Sequence, residues 1–417
     1  MNKMIIRFRK KDIPKYIIWA EILLVCFSNF FIDILQFPTF IKYSMDFLNF
    51  LLVLFILIVF FKKKKIKSEI KILGLIILGL LLFSLSSLIT KQFNFILVVW
   101  SIRNTFRFLI FFLSCTVFLN YNDYEYMIGK INKILVINFF MCLYEFLILG
   151  YSGDFVGGGF GISAGCNAPL NVLIVIATVY NAVLYMQRRN KLNKLIVYIT
   201  LCSIIAGFAE LKIYVVEVLL ILVLTGVFSK GFLKKTSIIL MSIVFMMLCI
   251  RLIEILIPGW ENFFTIKNLY EMASTTQGYT NSGDLNRLTS ITELNDLFFK
   301  NSVNWTGFGL GNCEFSDTFG FLNSNFANAY GYLHYSWFSV AKIYLELGWI
   351  GVITSIGIWV YTLHVALKRN TKWKISILIM VVMAILFFFY NYTMNLDSAY
   401  LVYAFLAGAY LSEKHYI

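Results

Sequence analysis

Two side chains that could carry out acid–base and charge chemistry lie in a hydrophilic stretch, residues 258–335, of an otherwise apolar chain. This stretch has three basic and seven acidic residues, and it contains one arginine, Arg287, and one histidine, His334. A guanidinium can hold phosphate oxygens through two parallel hydrogen bonds. An imidazole titrates near neutrality and can accept a proton during a reaction. We therefore predict Arg287 and His334 as catalytic residues.

A glycine-rich segment, residues 305–311, lies between these two side chains. Glycine at alternate positions allows a tight turn in which the backbone closely approaches a ligand or another segment of the chain. The pattern is superficially that of a nucleotide-binding loop, but no strand precedes it and no βαβ unit surrounds it. The predicted binding residues of this region, including an acidic residue where the chain becomes apolar again, are Trp305, Gly307, Gly309, Gly311 and Glu346.

Further cations lie beside predicted membrane spans, where ionisable groups are costly and need a reason. Arg103 and Arg107 are four residues apart and share one face at the predicted outer end of the fourth span. Glu210 and Lys212 lie between the seventh and eighth spans. With Arg287, these cations could form a pocket for a phosphate or pyrophosphate group. The alternative is ion pairing between helices, for instance of Glu210 with Arg103.

The composition places these residues in a membrane protein. Hydrophobic residues make up 60% of the chain and charged residues 14%, and the mean hydropathy is +0.79, whereas about a quarter of a soluble chain is charged. Apolar runs of roughly 17–25 residues are long enough to cross a bilayer. The fold class is therefore predicted as an all-α polytopic membrane protein with about twelve transmembrane helices. They are predicted near residues 16–35, 45–61, 72–90, 104–120, 131–150, 168–186, 195–209, 213–229, 236–257, 348–366, 375–391 and 398–411.

The distribution of basic residues predicts the orientation. Most of the 36 lysine and arginine residues, including the run at 62–65, lie in the loops that share a side with both termini. By the positive-inside rule that side is cytoplasmic, which explains the net charge of +14 without a nucleic-acid partner. The chain is accordingly divided into residues 1–257 with nine spans, 258–335 as one large extracytoplasmic loop, and 336–417 with a re-entry helix and three spans.

Two local helices should position the loop residues. Apolar positions within residues 284–300 have helical spacing, with Ser282 or Asp284 as the N-cap and the loop arginine in the first turn. Residues 336–347 are also predicted to be helical. We expect this second helix to lie along the membrane surface and to hold the loop histidine at the level of the lipid headgroups.

The sequence predicts no metal site and no cofactor. It has seven cysteine residues, and the two on the predicted outer side, Cys166 and Cys313, do not make a disulfide framework. No cysteine and histidine residues have the spacing of zinc ligands. The first half of the chain has no counterpart of the large loop, in contrast to the internal repeats of many transporters.

Taken together, these features resemble the Wzy O-antigen and capsule polymerases and the O-antigen ligases. Twelve spans with one large outer loop between the ninth and tenth are similar to that family, as are the loop arginine, the glycine run and the loop histidine. Smaller similarities lie in residues 103–107, 154–161 and 210–212. The residues that carry the resemblance are Arg103, Arg107, Asp154, Glu210, Lys212, Arg287, Gly307, Gly309, Gly311, His334, Glu346, Gly348 and Gly351.

The resemblance implies a GT-C-type glycosyltransferase of the bacterial cytoplasmic membrane that acts at the outer face. It implies polymerisation of polyprenyl-pyrophosphate-linked oligosaccharide units into a surface polysaccharide, with membrane lipids, a flippase and a chain-length regulator as partners. The loop arginine and histidine would be essential, and Arg103, Arg107 and Lys212 would contact the diphosphate. One position departs from the pattern: many relatives have asparagine after the loop histidine, where this chain has Tyr335.

Other functions stay open at the level of sequence. Within the same resemblance, a ligase would transfer the glycan to a lipid or another acceptor. A lipid-linked oligosaccharide flippase or other transporter would be expected to have repeats and polar groups at the middle of the membrane. A sensor or scaffold would bind a partner with the outer loop and would not need cations gathered at one leaflet.

Overall fold

The protein is described by a computed structural model in which every regular element of the described residues is helical. The described residues are 12–62, 66–90, 94–229, 236–238, 240, 244, 285–287, 289–300, 302–316 and 319–411. The α-helices are α1 (Ile13–Asp33), α2 (Phe40–Phe61), α3 (Ser68–Thr90), α4 (Phe95–Phe118), α5 (Tyr121–Leu147), α6 (Asn167–Met186), α7 (Leu192–Phe208), α8 (Ile213–Phe228), α9 (Ser290–Phe299), α10 (Asn325–Tyr330), α11 (Ser339–Arg369), α12 (Lys374–Tyr390) and α13 (Ala399–Leu406).

Seven of the described helices, α1 to α6 and α11, are long and apolar enough to cross a membrane, by length and composition. Four shorter apolar helices are α7, α8, α12, and α13 with the turn that continues it to Tyr410. The predicted ninth span, residues 236–257, lies almost entirely outside the described residues. The described part of the chain is therefore all-helical, with the elements of a multi-pass membrane protein.

The fourth helix begins earlier than predicted. Its start was expected at residue 104, but α4 begins at Phe95 because the apolar run after Asn94 forms its first turns. The side chain of Asn94 caps this end by accepting a hydrogen bond from the N–H of Ile96 at 3.0 Å. At 1.5 Å per residue, Arg103 and Arg107 lie about 12 and about 18 Å from the start of the helix. The prediction that they lie at its end is therefore wrong.

Two groups of helices form the core. Side chains on all faces of α6 are buried, as expected for a helix that is apolar all round, and α6 packs against α5, α7, α8, α12 and α13. A second group consists of α1, α2, α4 and α13, which pack against one another. This second group contains the two arginine residues of α4.

The predicted surface helix, residues 336–347, is not found in that form. Residues Tyr335–Trp337 make a 3-10 turn, and α11 begins at Ser339 and continues to Arg369. Every residue from 339 to 348 is buried, so this part of α11 has no exposed face to lay on a membrane surface. Its direction changes at Gly348, whose φ of 62° and ψ of −157° lie outside the helical region.

The predicted loop helix is shorter than expected. It begins at Ser290, after Thr289 at the N-cap position, and ends at Phe299. The predicted caps, Ser282 and Asp284, lie outside the described residues. Arg287 therefore precedes the helix instead of occupying its first turn.

Candidate functional site

The glycine run is hydrogen-bonded to α11 at the break in that helix. The N–H of Phe308 donates to the carbonyl of Leu345 at 2.6 Å, and the N–H of Gly309 donates to the carbonyl of Glu346 at 2.9 Å. In an unbroken helix these carbonyls would accept from residues four positions later. The break at Gly348 removes those donors, and the loop supplies replacements.

The same break leaves two amides beyond it without helical acceptors, and the loop satisfies these as well. The N–H of Trp349 donates to the carbonyl of Asn304 at 2.9 Å, and that of Ile350 donates to the carbonyl of Trp305 at 3.2 Å. We call this exchange of four backbone hydrogen bonds the loop–helix junction. Because buried backbone groups must be paired, the junction fixes the position of the glycine run on α11.

Two glycine residues make this close approach possible. A Cβ atom on Gly307 would lie 2.4 Å from the carbonyl carbon of Glu346, and one on Gly348 would lie 2.4 Å from that of Trp305. Both glycine residues have positive φ angles, 67° and 62°. Of the two partners expected for the glycine run, a ligand or another segment, the structure shows another segment at these positions. Trp305 itself remains 54% exposed.

Replacing Gly348 with alanine should strongly destabilise the protein. The backbone conformation of Gly348 is essentially restricted to glycine, which alone costs about 1–3 kcal/mol for another residue, and the methyl group would overlap Trp305. The unfolding temperature of the purified protein should therefore fall. The matched control is Gly357→Ala in the same helix, where nothing lies within 4 Å of the Cβ position. Equal unfolding temperatures for the two variants would contradict the junction.

Glu346 connects the junction to α4. One carboxylate oxygen accepts a hydrogen bond from the hydroxyl of Ser101 at 2.9 Å, and the other accepts from the N–H of Gly311 at 3.1 Å. A Cβ atom on Gly311, which has φ of 84°, would lie 2.8 Å from the backbone of Leu97. The predicted binding residue Glu346 is thus fully buried and positions the glycine run between two helices.

The arginine residues of α4 are paired with acidic residues. Arg103 donates from Nε and Nη2 to the two carboxylate oxygens of Asp46 at 3.0 and 2.7 Å. Arg107 lies 2.8 Å from a carboxylate oxygen of Asp397 and 3.9 Å from one of Asp46. Burial alone would raise the pKa of Asp397, but the charges of Arg107, Lys42 and Arg103 together outweigh burial, and this pKa lies below its usual value.

The contacts continue from Arg103 into the segment that precedes α11. Its Nη1 donates to the side chain of Asn104 at 2.7 Å, and Asn104 donates to Glu314 at 2.5 Å. The ammonium group of Lys342 donates to both carboxylate oxygens of Glu314 at 2.8 Å. We call the whole set the polar chain. Its members are Asp46, Arg103, Asn104, Arg107, Glu314, Lys342 and Asp397.

The contacts of the polar chain can be compared with the predicted cationic pocket. Arg103 and Arg107 are ion-paired with Asp46 and Asp397, not with Glu210. This is the alternative to a cationic pocket that the sequence left open. Lys212 has different acidic neighbours: burial lowers its pKa, while the charges of Glu210 and Asp154 act to raise it. Because both carboxylate oxygens of Asp46 already bind Arg103, a diphosphate that bound Arg103 would compete with Asp46.

The two predicted catalytic residues lie on segments that contact each other. The N–H of Leu285 donates to the carbonyl of Leu333 at 3.3 Å. Arg287 follows the first of these residues by two positions, and His334 follows the second directly. This hydrogen bond brings together two backbone segments that are nearly fifty residues apart in the sequence.

Aromatic rings flank both side chains. The guanidinium carbon of Arg287 lies 4.4 Å from the ring centroid of Tyr390, a cation–π distance. The imidazole of His334 stacks on the ring of Trp337 with centroids 4.0 Å apart. His334 has a positive φ of 51°, a left-handed conformation in which histidine is enriched. Both side chains are half-buried.

The residue that departs from the family pattern, Tyr335, anchors the histidine segment. Its hydroxyl donates to the carbonyl of Cys313 at 2.9 Å, and burial raises its pKa. The backbone then pairs with the end of α12, because the N–H of Ser339 donates to the carbonyl of Asn391 at 3.0 Å. These bonds place His334 on a firmly held turn.

Sequence reasoning missed four charged members of this site. It identified neither the acidic partners of the arginine residues nor the buried ion pair of the loop. A usable signal was present, because intramembrane ionisable groups need partners, and two of these residues lie in or beside predicted spans. The missed residues are Asp46, Glu314, Lys342 and Asp397.

A comparison with protein-family models finds no match, and a comparison with curated proteins finds none either. Within the described part of the chain, no group of three or more histidine, cysteine, aspartate or glutamate residues could hold a metal ion. In the described part of the chain, the fold is all-helical, with seven candidate membrane spans and a loop segment hydrogen-bonded to a broken helix.

Proposed function

We propose that this protein is a glycosyltransferase that polymerises polyprenyl-pyrophosphate-linked oligosaccharide units at the outer face of the bacterial cytoplasmic membrane. In this proposal the chain has twelve spans, both termini are cytoplasmic, and residues 258–335 are extracytoplasmic. The observation that carries the proposal is the hydrogen bond between Leu285 and Leu333. It brings a half-buried arginine and a half-buried histidine to adjacent backbone segments beside the ends of apolar helices.

These two residue types suit the chemistry of a lipid-pyrophosphate donor. A hydroxyl group of the acceptor sugar attacks the anomeric carbon of the donor, and the bond to the diphosphate breaks. Arg287 stabilises the negative charge that develops on the diphosphate. His334 accepts the proton of the attacking hydroxyl. No nucleotide is needed, because the diphosphate is already a good leaving group.

The polar chain has a supporting role in this proposal. A lone Arg103 inside an apolar helix bundle would be costly, and its two hydrogen bonds to Asp46 compensate that cost. Through Asn104 and Glu314 the same contacts reach the loop. The loop is thereby held in place by charged groups as well as by the loop–helix junction.

Reconstitution would test the proposed function. The purified protein in liposomes should convert a polyprenyl-pyrophosphate-linked repeat unit into longer lipid-linked chains, which gel electrophoresis and mass spectrometry would resolve. Transfer of a single unit to a non-pyrophosphate acceptor would instead indicate a ligase. Absence of any elongated product from folded protein supplied with its native repeat unit would contradict the proposal.

One observation favours a second candidate, a lipid-linked oligosaccharide flippase. Polar groups at the middle of the membrane are expected of a transporter, and Arg107 lies about 18 Å into α4 by helix rise, with its acidic partner Asp397. The same liposomes distinguish the two classes. A flippase would move the lipid-linked unit between leaflets without extending it.

The proposed orientation predicts where introduced cysteine residues can be labelled. A Lys300→Cys variant at the exposed end of α9 should react with a membrane-impermeant maleimide on intact cells. The described native cysteine residues are buried, which limits background. In the control Lys368→Cys, on an exposed position near the end of α11, labelling should require permeabilisation. The reverse pattern would overturn the proposed orientation.

A further inference from the structure

Glu21 is a carboxyl group inside the first helix that the proposed glycosyl transfer does not use. It lies about 18 Å from the end of α1 at Asp33, at 1.5 Å per residue, and its exposed fraction is 0%. Among the described residues, neither of its carboxyl oxygens has a hydrogen-bond partner. An ionised carboxylate in such a place would be very costly, because nothing replaces its hydration.

Among the described residues, the titratable groups that act on Glu21 are acids. α1 packs against α2, α4, α13 and the turn Gly158–Phe160. The titratable groups that interact with Glu21 electrostatically are Asp46 of α2, Cys115 of α4 and Tyr400 of α13. The turn contributes two glycine residues and a phenylalanine.

The carboxyl groups of Glu21 and Asp46 have different surroundings. Asp46 receives two hydrogen bonds from the guanidinium fork of Arg103, the bidentate geometry of an arginine–carboxylate pair. Its negative charge in turn disfavours a second negative charge on Glu21. The absence of a hydrogen-bond partner for Glu21 and the negative charge of Asp46 both favour a Glu21 that carries a proton.

A bound metal cation fits this position less well. Hard cations take several oxygen ligands, and both oxygens of Asp46 are already engaged by Arg103. The described residues contain no group of three or more acidic, histidine or cysteine residues that could hold a metal. A proton needs only one carboxylate oxygen.

We propose that Glu21 is a proton-binding site in the interior of the protein, next to the polar chain. The site lies outside the proposed transfer chemistry, since it is in α1 and the catalytic residues follow α8. It provides a protonatable group close to the middle of the first helix, beside an ionised Asp46 that is held by Arg103.

Infrared difference spectroscopy on the full-length protein can test this site. A protonated Glu21 should give a carboxyl C=O stretching band in the wild-type spectrum across neutral pH. This band should be absent from the spectrum of Glu21→Gln. The matched control is Glu217→Gln. Glu217 is equally buried but accepts a hydrogen bond from Asn171 at 2.9 Å. Because accepting a hydrogen bond lowers the C=O frequency, the Glu21 band should lie at higher frequency. Loss of carboxylate bands in Glu21→Gln would overturn the proposal.

Two further measurements separate a proton site from a folding defect and from a cation site. If Glu21→Gln does not fold, Glu21→Asp, which retains an acid, should shift the same band, and an unchanged spectrum would overturn the assignment. The wild-type protein should also unfold at the same temperature in sodium chloride and in choline chloride of equal concentration. A ligand that binds the folded state raises the unfolding temperature, so stabilisation by sodium would show a cation site instead of a proton site.

Discussion

Replacing Arg287 with alanine should reduce glycan elongation by about 10²–10³-fold, the usual effect of removing one group that stabilises a developing negative charge. The reason is that the diphosphate leaving group would lose its guanidinium. The measurement is the initial rate of chain extension by the purified variant in liposomes with a lipid-pyrophosphate-linked repeat unit. Arg287→Lys should recover little of the rate, because an ammonium is a point charge and cannot form a two-pronged contact.

A matched control for Arg287 lies in the same loop. Lys300 is an exposed cation at the end of α9, so Lys300→Ala removes the same charge without changing the proposed site. It should leave elongation within a factor of about two, since exposed charges contribute little. Full activity of folded Arg287→Ala, or equal losses in the two variants, would refute a catalytic role for Arg287.

Replacing His334 with asparagine should lower elongation by about 10²–10⁴-fold, the range for loss of a general base. Asparagine is chosen because it tolerates the left-handed backbone that His334 adopts. The substitution thus removes the imidazole while it keeps the local fold. The rate should be measured in the same liposome assay, with the unfolding temperature as a check that the variant remains folded.

Two comparisons separate the possible roles of this side chain. If His334 binds phosphate as a cation instead of accepting a proton, His334→Arg should keep measurable turnover and His334→Asn should not. If it only packs against Trp337, His334→Asn should elongate glycan at the wild-type rate and unfold at a lower temperature. That last outcome would remove His334 from the mechanism.

The sequence was sufficient for features that depend on local patterns. Apolar runs predicted α1, α2, α3 and α6 close to their observed bounds, because length and hydropathy are properties of one segment, whereas α5 begins at Tyr121, ten residues before its predicted start at 131. The start of α4 was misplaced because the apolar residues after Asn94 were assigned to a loop. The predicted surface helix failed for another reason: its apolar spacing reflects burial on all faces within α11.

The contacts of the site could be predicted only in part. Alternating glycine residues indicated a close approach, but the pattern does not encode which segment is approached, and Gly307 lies against α11. The pairing of Arg103 with Asp46 joins residues 57 positions apart. Such partners depend on how the helices pack, and helical periodicity carries no information about the neighbouring helix.

The loop–helix junction has a consequence for how the protein opens and folds. The amides of Phe308, Gly309, Trp349 and Ile350 close rings between segments some forty residues apart. The loop cannot leave α11 without breaking all four bonds, so both segments belong to one cooperative opening unit. During synthesis the loop segment leaves the ribosome before α11, so the four hydrogen bonds can form only after α11 has been made. We therefore expect the junction to form late in folding.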